Sequence, residues 1–164
     1  GGFGTHDELF EILTLMQTGI CDPRPVILVS KPTSNYWEKW IHFVNTQLVK
    51  EAYVDADDIH LFKLAHSSKD VIPLLERFRS NYHSIHYDKN HTTIFIKKPL
   101  SDDHLSHINT NFSSLLGGGQ FSFLKTEPFT LSDQNLGLLH RLTFKFNQRN
   151  YSQIFKLIHF LNSV

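Results

Sequence analysis

Leu9, Ile12, Leu13 and Met16 recur at helical spacing behind Thr5-His6-Asp7-Glu8, which has the form of a capping box, so the chain is predicted to open with a helix. Gly19 is a natural stop, and Pro23 and Pro25 prevent continuation. Val26-Ile27-Leu28-Val29 is an unbroken β-branched and aliphatic run. Such a run predicts a parallel strand buried on both faces. After a polar loop, Trp37, Trp40, Ile41, Val44 and Leu48 form one stripe of a second helix. Asp55-Ala56-Asp57-Asp58 reads as a solvated turn, residues 61–65 as a further short strand, and Val71, Ile72, Leu75 and Phe78 as the face of a third helix capped by Ser67 or Ser68. This α-β-α-β-α order is that of the latter half of a doubly wound sheet.

The pattern changes near residue 80. Residues 81–91 are polar and aromatic without helical period, and 93–97 read as a strand ended by Pro99. Ser101-Asp102-Asp103 starts a helix through Leu105, Ile108, Phe112 and Leu115, which Gly117-Gly118-Gly119 stops. Residues 121–124 and 142–146 alternate apolar with polar, as half-buried strands do, and Ile154, Phe155, Leu157, Ile158 and Leu161 mark a last helix. The order β-α-β-β-α resembles a ferredoxin-like unit lacking one strand, which residues 82–87 could supply. The fold class expected is therefore α/β: the C-terminal half of a Rossmann-like doubly wound parallel sheet over residues 1–80, then a small α+β (ferredoxin-like) domain over 81–164.

Composition narrows the function. With 164 residues, 40% apolar and 20% charged, the chain is globular in composition. Basic and acidic residues are balanced at 16 each, and a pI near 7.3 argues against a dedicated nucleic-acid binder. Residues 1–80 carry 8 basic and 11 acidic side chains and residues 81–164 carry 8 and 5, a mild asymmetry that supports two modules without making a nucleic-acid footprint. No apolar run reaches the roughly 18 residues of a membrane span, so no membrane partner is expected. The single cysteine, Cys21, cannot form an intrachain disulfide and fits a reducing compartment; a cytoplasmic location is expected.

The chemistry concentrates at Gly1-Gly2-Phe3-Gly4-Thr5-His6-Asp7-Glu8. Glycines let a backbone approach a ligand closely, and the start of a helix offers free N–H groups and a positive dipole end, so together they suit a phosphate. The Thr5 hydroxyl can add a hydrogen bond, and Glu8 sits one turn in. This is not a Walker loop, because no Gly-Lys-Ser/Thr follows, and Asp7 occupies the third glycine position of a dinucleotide fingerprint. The same residues also read as a tight turn with a capping box, in which Glu8 only bonds the Thr5 backbone. A glycine-rich turn normally follows a strand. The chain is therefore expected to be a piece of a longer protein whose upstream N-terminal half completes the sheet, with residues 1–164 alone inactive.

The stretch GGFGTHDELFEILTLMQTGI followed by CDPRPVILV resembles the LOG family, the cytokinin riboside 5′-monophosphate phosphoribohydrolases long labelled lysine decarboxylase-like. Their PGGxGTxxE signature is matched from Gly1 through Glu8, and further matches fall at Gln17, Gly19, Ile20, Pro25 and Val26. The likeness covers about residues 1–80. The segment after it resembles, more loosely, the extra C-terminal domain of long bacterial members, through Lys98-Pro99-Leu100 and Arg141-Leu142 leading to Phe146-Asn147. The resemblance implies hydrolysis of the N-glycosidic bond of a nucleoside 5′-monophosphate to free base and ribose 5-phosphate, acting on a purine or modified purine nucleotide. It assigns phosphate binding to Gly1, Gly2, Gly4 and Thr5 and catalysis to Glu8. It also implies an upstream arginine, a homodimer or higher homo-oligomer with the site near the subunit interface, and no cofactor. Nothing supports lysine decarboxylation. The alternative reading is a non-catalytic nucleotide- or cofactor-binding protein, a carrier or regulator like the molybdenum-cofactor carriers; the C-terminal module is compatible with a regulatory or interaction role in either case.

Other candidates are weaker. His83-x-x-His86 and His104-x-x-His107 fall on separate elements without a cysteine, so surface histidines are expected and a metal is not. Cys21 follows a helix end, where thiolate activation is not favoured. Trp37 and Trp40 are expected as core or interface anchors.

Overall fold

A computed structural model describes residues 1–89, 91–124 and 139–164. The chain divides into two compact units, Gly1–Arg77 and Phe78–Val164.

The first unit runs α1 (Phe3–Gln17), β1 (Val26–Val29), α2 (Tyr36–Phe43), β2 (Phe62–Ala65) and α3 (Val71–Phe78, whose last residue falls to the second unit). The glycine stop acts as expected: Gly19 takes φ 73°, and Ile20 N–H closes back on the Leu15 carbonyl at 2.9 Å. β1 and β2 pair in parallel, Val26 opposite Phe62 through Val29 opposite Ala65. A parallel pair needs a crossover, and α2 with its π-helical continuation Val44–Val49 is part of it. The two-sided burial expected of β1 is not found. Only Leu28 is buried, and Val29 is 41% exposed. β1 has one described strand neighbour, β2, and the face that carries Val29 stays partly open.

The acidic stretch also departs from its reading. Asp55 opens a 3₁₀ helix, Ala56–Leu61, and Asp58 is buried rather than solvated. Its Oδ2 accepts from the Asp55 amide at 2.9 Å and from Gln17 Nε2, which ties this helix to the end of α1. Between α1, α2 and the 3₁₀ helix lies a cavity of about 70 Å³, with Phe10, Leu13, Trp40, Leu48 and Phe62 among its walls.

The second unit is β3 (Tyr82–Tyr87), β4 (Thr92–Ile96), α4 (Asp102–Asn111), β5 (Ser122–Leu124), β6 (His140–Phe144) and α5 (Tyr151–Leu161). The sheet order is β3-β4-β6-β5, and every described pair is antiparallel. The segment 82–87 does supply a strand. It does so as a hairpin with β4, however, and the inner strands β4 and β6 run antiparallel. A split βαβ unit would need a parallel central pair, so the ferredoxin-like topology is corrected to two ββα halves joined through β4 and β6. Ile94, Ile96, Leu142 and Phe144 meet Ile108 of α4 and Ile154, Phe155, Leu157, Ile158 and Leu161 of α5 in the core of this unit, all nearly inaccessible to solvent. α4 ends sooner than expected, at Asn111 with Phe112 as its C-cap; a 3₁₀ turn, Ser113–Leu115, follows, and Gly118 and Gly119 take positive φ only beyond that.

Asparagines fasten the ends of this unit, Asn81 buried and Asn162 half-buried. The Asn162 Oδ1 accepts from the Asn81 and Tyr82 amides at 2.9 and 2.8 Å, and its Nδ2 donates to the Phe78 carbonyl. Asn81, fully buried, donates through Nδ2 to the Leu161 carbonyl and accepts from the Lys98 amide, each at 2.8 Å.

Candidate functional site

α1 starts earlier than its capping pattern suggests. Gly2 is the N-cap and has no side chain to cap with; the first helical carbonyl engaged is that of Gly2, accepting from His6 N–H at 3.2 Å. Thr5 is therefore the third helical residue and Glu8 the sixth, so the Thr5–Glu8 capping box does not form. The first amides of a helix have no partner within it, which leaves Phe3, Gly4 and Thr5 N–H directed off the end of α1. All of residues 1–5 are exposed. The Thr5 Oγ1 accepts from the Gly1 amino group at 3.0 Å.

The glycines have no explanation inside the unit. Gly2 sits at φ −90° and ψ −175°, open to any residue, and a Cβ added at Gly2 or Gly4 would meet nothing within 4 Å. Neither backbone strain nor internal packing calls for glycine at either position. Glu8 lies one turn along, four residues after Gly4 and three after Thr5, so it shares their face of the helix. Its side chain is exposed.

The first turn of α2 holds this end of α1 in place. The Tyr36 hydroxyl donates to the Gly1 carbonyl at 2.5 Å and lies 3.0 Å from His6 Nε2. The His6 ring stacks on Tyr36 at 5.9 Å and meets Trp37 edge-on at 5.8 Å. Trp40 continues the cluster to Phe62 of β2 and is buried, as an anchor should be. Tyr36 and His6 carry no motif that would mark them, because their contact joins positions 30 residues apart.

The other sequence candidates take structural places. His83 and His86 are exposed on β3, at the edge of its sheet, while His104 and His107 flank Phe160, with ring centroids at 6.3 and 4.6 Å. Among the described residues no three His, Cys, Asp or Glu side chains gather as a metal site would require. No described helix is long and apolar enough to cross a membrane.

Comparison with known proteins bears on this turn. The family model described as "Possible lysine decarboxylase" matches residues 1–75. These residues are similar to the LOG family. The cytokinin riboside 5′-monophosphate phosphoribohydrolase LOG1 of Arabidopsis thaliana is 32% identical over 78 residues, 48% of this chain and 35% of its own length. LOG4 of the same plant is 28% identical over 85 residues, 52% of this chain and 38% of its own length. The chain thus spans about a third of the length of these LOG relatives. No solved structure matches. The family-model match covers the glycine turn, α1, the parallel pair and α2, and ends inside α3.

Proposed function

We propose that the protein is a LOG-type phosphoribohydrolase that hydrolyses a purine nucleoside 5′-monophosphate to free base and ribose 5-phosphate. The observation that carries the reading is the glycine turn itself: free amides at a helix start, and glycines that nothing inside the unit requires. Close approach by a ligand from outside supplies the missing reason, and an anion suits the dipole and the donors. On this reading Gly1, Gly2, Gly4 and Thr5 hold the phosphate. Glu8, one turn further, faces the ribose.

The chemistry fits a carboxylate at that distance. As the base departs, positive charge grows on the ribose as an oxocarbenium ion, which a nearby anion stabilises, and the same carboxylate can take a proton from the attacking water. Large apolar side chains of the first unit stand exposed, Phe3, Ile20 and Tyr53 among them at 98%, 73% and 77%. Apolar side chains so exposed offer surface for a partner to cover. We assign that cover to an upstream half of the same protein and to a partner subunit of a cytoplasmic homo-oligomer.

Titrating the isotopically labelled full-length protein with AMP tests the phosphate assignment. The Gly2, Gly4 and Thr5 amide resonances should move saturably. If they stay still while AMP binds, the turn is not the phosphate site.

A further inference from the structure

Three polar side chains meet at the carboxyl end of the parallel pair, apart from the glycine turn. Ser30 directly follows β1 and His66 directly follows β2. The Ser30 amide donates to the Ala65 carbonyl at 2.8 Å, which extends the pairing past the strands and fixes the two positions side by side. Glu38, in the first turn of α2, reaches back to both. Ser30 Oγ donates to its Oε2 at 3.0 Å, and His66 Nδ1 lies 3.3 Å from its Oε1. Burial is graded across the three: Ser30 is buried, the Glu38 side chain is 34% exposed, and the His66 side chain is 73% exposed. The serine and glutamate form a fixed base. The imidazole is gripped along one edge, and its Nε2 has no described partner.

This end of the sheet is where open α/β folds take their ligands. It is also joined to the glycine turn. Tyr36, whose hydroxyl reaches Gly1, and Glu38 both stand in the first turn of α2, on different sides of it because they are two residues apart. The glycine turn and this cluster are therefore both anchored by the first turn of α2.

A purine leaves ribose readily only if one of its ring nitrogens gains a proton as the bond breaks; on the glycine turn Glu8 is assigned to the water and the His6 Nε2 is engaged with the Tyr36 hydroxyl. We propose that His66 is the general acid for the departing base, and that Glu38, braced by Ser30, is the residue that positions it. This rests on the phosphoribohydrolase reading above. The electron pair of the C1′–N bond passes to the base, and the His66 imidazolium gives its Nε2 proton to a ring nitrogen. The water oxygen bonds to C1′ and its proton goes to Glu8. A proton then returns to His66 through solvent, so one water is consumed and no other reagent is needed. A carboxylate at Nδ1 fixes the tautomer and supports the imidazolium, as in other carboxylate–histidine pairs. Backbone hydrogen bonding, with help from Ser30 and His66 and against a smaller effect of desolvation, holds the Glu38 carboxyl below the usual carboxylate range.

Two substrates with different leaving groups test the assignment in the full-length protein. AMP needs a proton on its base; 4-nitrophenyl β-D-ribofuranoside 5-phosphate releases a stable phenolate and needs none. His66→Ala should lower kcat on AMP by about 10²–10⁴-fold, the usual scale for a positioned acid, with KM little changed. The aryl substrate should turn over as in the unmodified protein, which also shows that the variant folds. Glu38→Ala should weaken AMP turnover in the same selective way, to a smaller extent, whereas Glu8→Gln should slow both substrates. Undiminished AMP turnover in His66→Ala would overturn the proposal, and so would an equal loss on both substrates. If the unmodified protein releases ribose 5-phosphate from neither compound, the phosphoribohydrolase reading itself falls, and this inference with it.

Discussion

Glu8→Gln in the full-length protein is expected to lower turnover of a purine nucleoside monophosphate by about 10²–10⁴-fold while nucleotide binding survives. The substitution keeps the size and the position on α1 and removes only the negative charge and the proton-accepting oxygen. The structure makes this a clean test. Glu8 is exposed, the helix is capped by Gly2 rather than by a Thr5–Glu8 box, and no described hydrogen bond of the fold depends on the Glu8 carboxylate. A loss of turnover therefore cannot be charged to a broken cap. Binding should persist because the phosphate is assigned to the backbone amides and the Thr5 hydroxyl, which the variant leaves alone. Kinetics with calorimetric binding in parallel decides it. Unchanged turnover would leave Glu8 a surface residue of α1.

Asn162→Ala is expected to destabilise the Phe78–Val164 unit by about 3–5 kcal/mol. Four hydrogen bonds go with the side chain: from the Asn81 and Tyr82 amides, from Ser80 Oγ, and to the Phe78 carbonyl. Each is worth about 0.5–1.5 kcal/mol, more where a buried amide is left dry. A loss of that size is a large share of the 5–15 kcal/mol that holds a typical domain together. Both tryptophans, Trp37 and Trp40, lie in the other unit, so their fluorescence does not report on this one. Hydrogen exchange of the β4 and β6 amides does, and their protection should fall by at least about 100-fold, since each 1.4 kcal/mol is a factor of ten. Protection equal to that of the unmodified protein would show that the α5 end is held by its apolar face alone.

The elements visible in the sequence were those with an unbroken period. Val26–Val29 announced a parallel strand because it is continuously apolar, and its pairing with Phe62–Ala65 follows. Its depth of burial was not legible, because that depends on neighbours the run does not name. β3 was legible as a candidate strand but not as the hairpin partner of β4. Tyr82, Ile85 and Tyr87 do not alternate evenly, since the register slips between Tyr82 and Ser84, and His83 and His86 fill the exposed positions. Without that strand as a hairpin partner, a ferredoxin-like order was the natural reading of what followed.

At the site, the motif located the turn but misjudged the cap and with it the start of α1. Threonine followed three residues later by glutamate is the usual signal; here Gly2 precedes it and the helix begins sooner. Tyr36, His6, Glu38 and His66 were silent for a different reason. Their contacts span 28 to 30 positions and exist only once the parallel pair and α2 have formed.

The most direct test of the account is product analysis with the full-length protein. It should be incubated with a panel of purine and modified-purine nucleoside 5′-monophosphates while free base and ribose 5-phosphate are both quantified. The account predicts that at least one member yields the two products in equal amounts. Tight binding of these nucleotides with no release of ribose 5-phosphate from any of them would contradict it and make the glycine turn part of a carrier or regulator.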